Sequence, residues 1–170
     1  METGGDAVTA LFFEWAELRC PKAYKCCEGK EAGHMQEGNF LFRPLTLEDA
    51  RLKNPLALAF MGDTVWDLLV RGMLLQTPAK VNALHRQAIA RVNAGAQAEV
   101  YMRLEEHFTL EEAEIARRGM NAHARHNVPK NQNPLDYSRA TGLEALLGYL
   151  YLTGQRERLL ELFDMGTEMP

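Results

Sequence analysis

The chain has 170 residues, of which 46% are hydrophobic and 25% charged, as expected for one soluble globular domain with a single core. Its 19 Lys and Arg against 23 Asp and Glu give a net charge of −4, so a nucleic-acid site would have to be a local basic patch. Three cysteines cannot form a closed disulfide framework, and no apolar run is long enough to span a bilayer. With no secretory signal pattern, these features predict a cytoplasmic protein that does not associate with membranes.

The beginning of the chain differs from the rest, because its glycines and all three cysteines concentrate there. Residues 1–40 are predicted to form a weakly ordered extension, or to reflect a start codon placed upstream of a natural start at Met35. Four side chains in it could form a zinc set, although their spacing matches no common finger and free thiols are the alternative. These four are Cys20, Cys26, Cys27 and His34.

From residue 44 onward, residues that typically begin and end helices recur along the chain, and this pattern predicts an all-α fold. Thr46 is expected to cap a short helix, with Asp49 as the reciprocal acid. Asn54 and the proline after it are expected to begin a long helix that runs to about Gln76. This helix carries apolar residues on nearly every side, so it is predicted to be central and buried.

Further helices are predicted on both sides of a long polar loop at residues 119–136. Before the loop come two alanine-rich helices and a third that begins with the capping box of Thr109 and Glu112 and closes at Gly119. After it, Ser138 is predicted to cap a strongly apolar helix that ends at Gly154. The remaining bounds predicted are Val81–Arg91, Ala94–Glu106 and, for a terminal amphipathic helix, Gln155–Phe163.

Asp63 is unusual because it follows Gly62 on the long helix, where the preceding residues are apolar or small. A buried carboxylate in such a position needs a partner. Asp67 and Arg71 lie one and two turns further along the same stripe. A surface ladder of ion pairs formed by the three residues is therefore one interpretation.

Glu144 repeats this pattern on the last apolar helix, between Gly142 and Gly148. If the two helices pack closely through their small residues, Asp63 and Glu144 face each other. Facing carboxylates repel unless they share a proton or a cation, and a hard divalent ion such as Mg²⁺ suits this geometry. Two unrelated surface acids are the alternative.

The polar loop is a candidate RNA contact, because five basic residues between Arg117 and Arg139 stand against a single acid, Asp136. Asparagines add uncharged donors, and such a set suits phosphate and 2′-hydroxyl groups. A solvated polar loop is the alternative. The residues predicted to bind RNA are Arg118, Asn121, Arg125, Lys130 and Asn131.

Taken together, these residues resemble the ribonuclease III family, and within it the small Mini-ribonuclease III branch. The resemblance covers roughly residues 54–163. Its fragments are weak one by one, but their order and spacing are specific. They are Leu58 through Asp63, Asp63 through Arg71, Leu84 with His85, Arg118 through Ala122, Pro129 through Asn131, and Tyr137 through Leu152.

This resemblance implies an all-helical endoribonuclease domain at residues 41–170 that cleaves double-stranded RNA and leaves 5′-phosphate ends. Asp63 and Glu144 match the family's two signature acids, so both are expected to be catalytic and to hold Mg²⁺, for which Mn²⁺ can substitute. The bound ion would polarise the phosphate, acidify a water and neutralise the leaving oxygen. The implied substrate is precursor large-subunit (23S) ribosomal RNA, and a ribosomal protein that presents this RNA is a further candidate partner.

The sequence departs from full-length ribonuclease III at two usual acid positions, which are Ala59 and Thr141 here, and in its expected lack of a separate RNA-binding domain. These departures leave the number of metal ions open and agree with the Mini branch. A catalytically silent RNA-binding dimer on the same fold is the alternative function, and a helical interaction module without RNA binding is a third. Retention of both Asp63 and Glu144 favours the enzyme.

A symmetric homodimer is expected, because two copies would match the pseudo-two-fold symmetry of an RNA duplex and place one site on each strand. The apolar faces around Asp63 and Glu144 are the candidates for its interface, since their small residues allow close packing. These small residues are Ala59, Gly62, Gly142 and Ala145.

Overall fold

A computed structural model describes residues 43–122 and 133–167, and within these two ranges the ordered elements are all helical. The predicted all-α fold is therefore confirmed. The predicted extension at residues 1–40, with its candidate zinc ligands, lies outside the described residues. The helices are α1 (Leu47–Leu52), α2 (Pro55–Leu74), α3 (Val81–Val92), α4 (Ala94–Leu104), α5 (Leu110–Ala122), α6 (Pro134–Leu152) and α7 (Arg156–Thr167), with a 3₁₀ turn at Glu105–His107 between α4 and α5.

Helix α6 is the centre of the fold. Its residues from Ala140 to Leu150 are all buried except Glu144, which is half-buried. A helix that is apolar on all sides has no stable place at a surface, so α2, α4 and α5 pack around it and α7 covers one end. Glu144 is therefore the one residue of this buried stretch of α6 that carries a charge-bearing group.

Helices α2 and α6 cross in backbone contact, because each has a glycine at the crossing. A Cβ atom built on Gly62 would lie 1.7 Å from the carbonyl oxygen of Glu144, and one built on Gly148 would lie 2.0 Å from that of Leu58. Any side chain at these two positions would force the helices apart. The close packing predicted from the small residues beside the acids is confirmed, and it sets Asp63 on α2 beside Glu144 on α6.

Three helix starts were predicted correctly from their capping residues. The Thr46 hydroxyl accepts a hydrogen bond from the Asp49 amide at 3.1 Å, and the Asn54 side chain accepts one from the Leu56 amide at 2.9 Å. Thr109 and Glu112 likewise form the expected reciprocal box, with the Thr109 amide 2.8 Å from the Glu112 carboxylate. These local signals act within one turn, which is why the sequence alone reveals them.

The predicted ends of the polar loop were wrong on both sides. Helix α5 continues past Gly119 to Ala122, because Gly119 is not a terminator but a contact point with α6. Helix α6 begins at Pro134 with Asn133 as its N-cap, one turn before the predicted cap at Ser138. The Ser138 hydroxyl instead donates a hydrogen bond to the Met120 carbonyl, which ties α6 to the end of α5.

Helix α2 is central but only partly buried, whereas its apolar residues on nearly every side predict a buried helix. Phe60 and Leu68 are 79% and 63% exposed and lie two turns apart on the exposed side of α2. The opposite face is buried against α6, and Trp66 packs edge-on against Phe163 of α7. In the described ranges, no helix has both the length and the apolar character needed to cross a membrane.

Candidate active site

A cleft of about 380 Å³ lies where α2, α4 and α6 meet, and both predicted acids line it. Asp63 is exposed at its edge, whereas Glu144 is set deeper. Ala59 and Thr141, the two positions where the ribonuclease III family usually carries further acids, line the same cleft. The full lining is Leu56, Ala59, Phe60 and Asp63 from α2, Val92, Ala94 and Gln97 from the α3–α4 region, and Tyr137, Ala140, Thr141 and Glu144 from α6.

The Glu144 carboxyl is the most electrostatically perturbed acid of the cleft. Burial and, after it, the negative charge of Asp63 raise its pKa from about 4.5 to about 8, against a smaller opposing effect of the Gln97 amide. A bound cation would stabilise a carboxylate whose charge is disfavoured by burial and by a neighbouring acid. Asp63 and Glu144 line one cleft, as expected from the close packing of the helices that carry them.

Asp67 is engaged elsewhere. One of its carboxylate oxygens lies 2.7 Å from the Arg71 Nε, which makes an ion pair one turn along α2. Asp67 is not among the residues that line the cleft. The ion-pair ladder considered for this stripe therefore consists of Asp67 and Arg71, while Asp63 faces the cleft.

Gln97 is a cleft residue that the sequence does not reveal. It lies on α4, is almost fully buried, and its Nε2 atom has no hydrogen-bond partner in the described part of the chain. A glutamine on an alanine-rich helix gives no sequence signal, because the same composition is typical of an exposed helix. Only the packing of α4 against α6 shows that it belongs to the site.

Of the residues predicted to bind RNA, the structure describes Arg118 and Asn121, both near the end of α5. Arg118 donates two hydrogen bonds to backbone carbonyls at the end of α1, those of Arg51 at 2.6 Å and Lys53 at 3.0 Å. It therefore has a structural task that the sequence did not suggest. The other predicted RNA ligands, Arg125, Lys130 and Asn131, lie outside the described residues, so the RNA-binding role of all five stays a prediction.

The small residues predicted at a dimer interface belong instead to the interior of one chain. Gly62 and Gly142 contact neighbouring helices of the same chain, with Gly142 close to Met120 and the Ala116 carbonyl. Ala59 and Ala145 are buried. These four small residues are therefore not available for a dimer interface, because the sequence cannot distinguish packing within a chain from packing between chains; an interface on the faces around the two acids stays a prediction.

Comparison with known proteins connects this cleft to a family. The family profile described as ribonuclease III domain matches residues 56–155, which span all the helices that line the cleft. The chain belongs to the ribonuclease III family. As a ribonuclease III family member it is an endoribonuclease, so the activity predicted from the sequence is confirmed.

Individual ribonuclease III relatives resemble the chain over most of their length. It is 43% identical over 129 residues to the Mini-ribonuclease 3 of Symbiobacterium thermophilum, a match that covers 75% of this chain and 94% of the relative. The Mini-ribonuclease 3 of Gloeobacter violaceus is 47% identical over 103 residues, which cover 61% of this chain and 74% of the relative. The crystal structure of protein FN1578 from Fusobacterium nucleatum superimposes with a TM-score of 0.63 at 30% identity, over 69% of this chain and 93% of that one.

The ribonuclease III family acts on double-stranded RNA and generally depends on a divalent metal ion. The residues of the cleft fit one such ion, since two carboxylates that repel each other are hard oxygen donors and can share it with waters and a substrate phosphate. Among residues 43–122 and 133–167, no cluster of three or more His, Cys, Asp or Glu side chains could hold a metal. This agrees with Ala59 and Thr141 at the two positions where further acids would stand.

Proposed function

We propose that Asp63 and Glu144 form the active site of an endoribonuclease that cleaves double-stranded RNA with the help of Mg²⁺, or of Mn²⁺ in its place. The observation that carries this proposal is the shared cleft, in which burial and then the charge of Asp63 raise the pKa of Glu144. Buried acids with strongly perturbed pKa values are typical of functional sites. The cleft is open, as a site for a phosphodiester backbone has to be.

The two carboxylates have separate tasks in this proposal. Asp63 lies at the exposed edge, where it faces incoming RNA, and Glu144 lies deeper, where the protein fixes its position. When bound, a divalent ion stabilises the charge that develops on the scissile phosphate and on the leaving oxygen. The protein contributes the two anionic ligands, their fixed separation and a half-buried surrounding that strengthens electrostatic interactions. The products carry 5′-phosphate ends.

Single-turnover cleavage of a duplex RNA, with enzyme in excess and Mg²⁺ titrated, tests this assignment. Asp63→Asn keeps the shape of the side chain but removes the charge, so we expect the rate to fall by about a thousandfold or more, roughly 4 kcal/mol. Glu144→Gln should behave alike. The double variant should be little worse than either single variant, because both acids serve one site.

Asp67→Asn is the matched control, since it makes the same change one helical turn away, in a residue paired with Arg71. We expect it to retain most of the native rate. Cleavage at a near-native rate by Asp63→Asn, combined with an inactive Asp67→Asn, would place the metal site one turn further along α2 and refute the proposal. Binding of the duplex without cutting by the native chain would support the silent RNA-binding dimer instead.

The natural substrate proposed is precursor large-subunit (23S) ribosomal RNA in the cytoplasm. The support is the similarity to Mini-ribonuclease 3 proteins over three quarters of the chain. Duplex segments of the precursor would be held through their backbone by Arg118, Asn121, Arg125, Lys130 and Asn131. A ribosomal protein that presents the RNA is a further proposed partner, and a second copy of the chain would supply the other site.

The exposed apolar face of α2, formed by Phe60 and Leu68, is the proposed dimer contact. Both residues are large, apolar and mostly exposed to solvent within one chain. Phe60 also lines the cleft, so a partner seated on this face would lie next to Asp63 and complete the wall of the site. Two copies related by a two-fold axis would then place two clefts along one duplex.

A further inference from the structure

Gln97 is the polar side chain of the cleft whose burial is hardest to explain by packing alone. It lies on α4 with 1% of its surface exposed, and it lines the cleft together with Asp63 and Glu144. Its Nε2 atom is buried without a hydrogen-bond partner in the described residues. Buried amide donors are nearly always paired, so an unpaired one in a cleft points to a partner that engages it only in the working state.

The acceptor that the cleft offers to the Gln97 amide is the Glu144 carboxylate. Both side chains line the cleft, and Glu144 is the partly buried acid, whereas Asp63 lies at the exposed edge. A buried amide donor and a partly buried carboxylate each lose less free energy to burial when they form a hydrogen bond with one another. The neighbouring Thr141 hydroxyl cannot take this task, because it donates to the Tyr137 carbonyl at 3.0 Å.

We propose that Gln97 is a positioning residue: its Nε2–H, which has no partner within the described residues, donates to the Glu144 carboxylate when a divalent ion is bound and holds this carboxylate in the orientation in which it binds the ion with Asp63. A neutral donor suits this task better than Lys or Arg would, because it orients the carboxylate without neutralising the charge that attracts the cation. The inference rests on the proposed function of Asp63 and Glu144. It adds a third side chain to a site that lacks acids at Ala59 and Thr141.

Gln97→Met tests the inference, since Met matches the length of Gln but cannot donate a hydrogen bond. The first measurement is the affinity of the RNA-free protein for Mn²⁺, followed by the paramagnetic relaxation of water protons. The second is the Mg²⁺ concentration that gives half-maximal single-turnover cleavage. We expect both constants to rise about tenfold or more, as for other groups that orient metal ligands, while the rate at saturating Mg²⁺ falls less.

Gln87→Met is the matched control, because Gln87 lies on α3, is only half-buried and does not line the cleft. It should leave both constants unchanged. If Gln97→Met does not fold, Gln97→Asn keeps the amide but shortens its reach, and the same weakening is expected. Unchanged Mn²⁺ affinity in a folded Gln97 variant would overturn the inference.

Asp63→Asn separates failure of this inference from failure of the proposed function. If Asp63→Asn loses Mn²⁺ binding and cleavage while Gln97→Met retains both, only the positioning role is refuted. If Asp63→Asn itself binds Mn²⁺ and cleaves like the native chain, the proposed site is wrong and the inference fails with it.

Discussion

Glu144 shows how a single residue can act against the stability of the fold that contains it. Its neighbours along α6 are buried and apolar, and a leucine in its place would suit the packing better. Its pKa of about 8 means that in the metal-free protein it is largely protonated at neutral pH. Binding of a cation would favour the ionised form, so ion binding and proton release are coupled.

The pH dependence of stability follows from this pKa. An acid whose pKa is higher in the folded chain than in the unfolded chain binds its proton more tightly when folded. The free energy of unfolding of the metal-free protein is therefore expected to fall between about pH 4.5 and about pH 8 and to level off above that range. Thermal unfolding in chelator at about pH 5.5 and about pH 8.5 measures this, and a loss of about 1 kcal/mol would lower Tm by a few degrees.

Glu144→Gln is the reference for this pH experiment, because it removes the titrating group and leaves the histidines and other acids in place. Its stability should change less with pH than that of the native chain. Glu111 and Glu112 do not interfere, because their pKa values are lowered. The hydrogen bond to Arg51 lowers that of Glu111, and for Glu112 burial raises the pKa but is outweighed by the hydrogen bonds to Arg158 and Thr109. An equally steep pH dependence in native chain and variant would contradict the expected state of Glu144.

The difference between Glu144 and Gln97 shows what a sequence reveals at the scale of a residue. A charged residue within an apolar run is visible, because few structural roles explain it. The sequence does not reveal that Gln97 lines the cleft, because its position there depends on the packing of α4 against α6. Arg118 has a second task that its sequence context does not suggest, because its guanidinium holds the end of α1, and its predicted role in RNA binding stays a prediction.

At the scale of the helix, the crossing of α2 and α6 depends on Gly62 and Gly148. We expect Gly62→Ala to destabilise the chain by about 3 kcal/mol or more, because the added carbon would lie 1.7 Å from a backbone oxygen that no side-chain rotation can move. Gly72→Ala on the same helix meets no atom within 4 Å and should stabilise it by up to about 1 kcal/mol. Denaturant unfolding of both variants measures the contrast, and equal effects would mean that the helices do not touch at Gly62.

Helix ends could be predicted where capping residues in the same turn mark them. The predictions were wrong where a contact with another helix decides where the helix ends. The pair of Asn54 and Pro55 predicts a helix start, and the structure has one there. The same pair recurs at Asn133 and Pro134, where it also begins a helix, but the asparagine-rich segment around it is typical of a loop. The prediction that α5 ends at Gly119 was wrong for a different reason. A glycine is required at this position because α6 approaches closely, and the local sequence carries no signal of that contact.

At the scale of the whole molecule, the exposed apolar face of α2 predicts how two copies of the chain form a dimer. We expect a dimer in solution, and Leu68→Asp should convert it to monomer, because a charge at a buried apolar contact is costly. Light scattering gives the mass, and the single-turnover rate shows whether the site needs its partner. Leu110→Asp is the control, since Leu110 is 94% exposed and begins α5, where an acid is favourable.

A native chain that is monomeric and active would contradict the dimer, and so would a dimeric Leu68→Asp variant. The sequence could suggest pairing only through the family resemblance, and it placed the interface at residues that the structure shows to be interior. Exposure of Phe60 and Leu68 depends on which side of α2 faces α6, and that orientation is fixed by Gly62 and Gly148.

Because of the backbone contact between α2 and α6, the stability of the fold and the geometry of the active site can change independently of each other. The spacing of the two helices that carry the acids is set at their crossing by main-chain atoms, which substitutions at positions other than Gly62 and Gly148 leave in contact, and not by the sizes of the surrounding apolar side chains. Exchanges such as Leu to Val elsewhere in the core can therefore lower the population of folded molecules without altering the geometry of those that are folded. Such a chain can accumulate sequence change over evolutionary time while each surviving molecule continues to cut RNA at an unchanged rate.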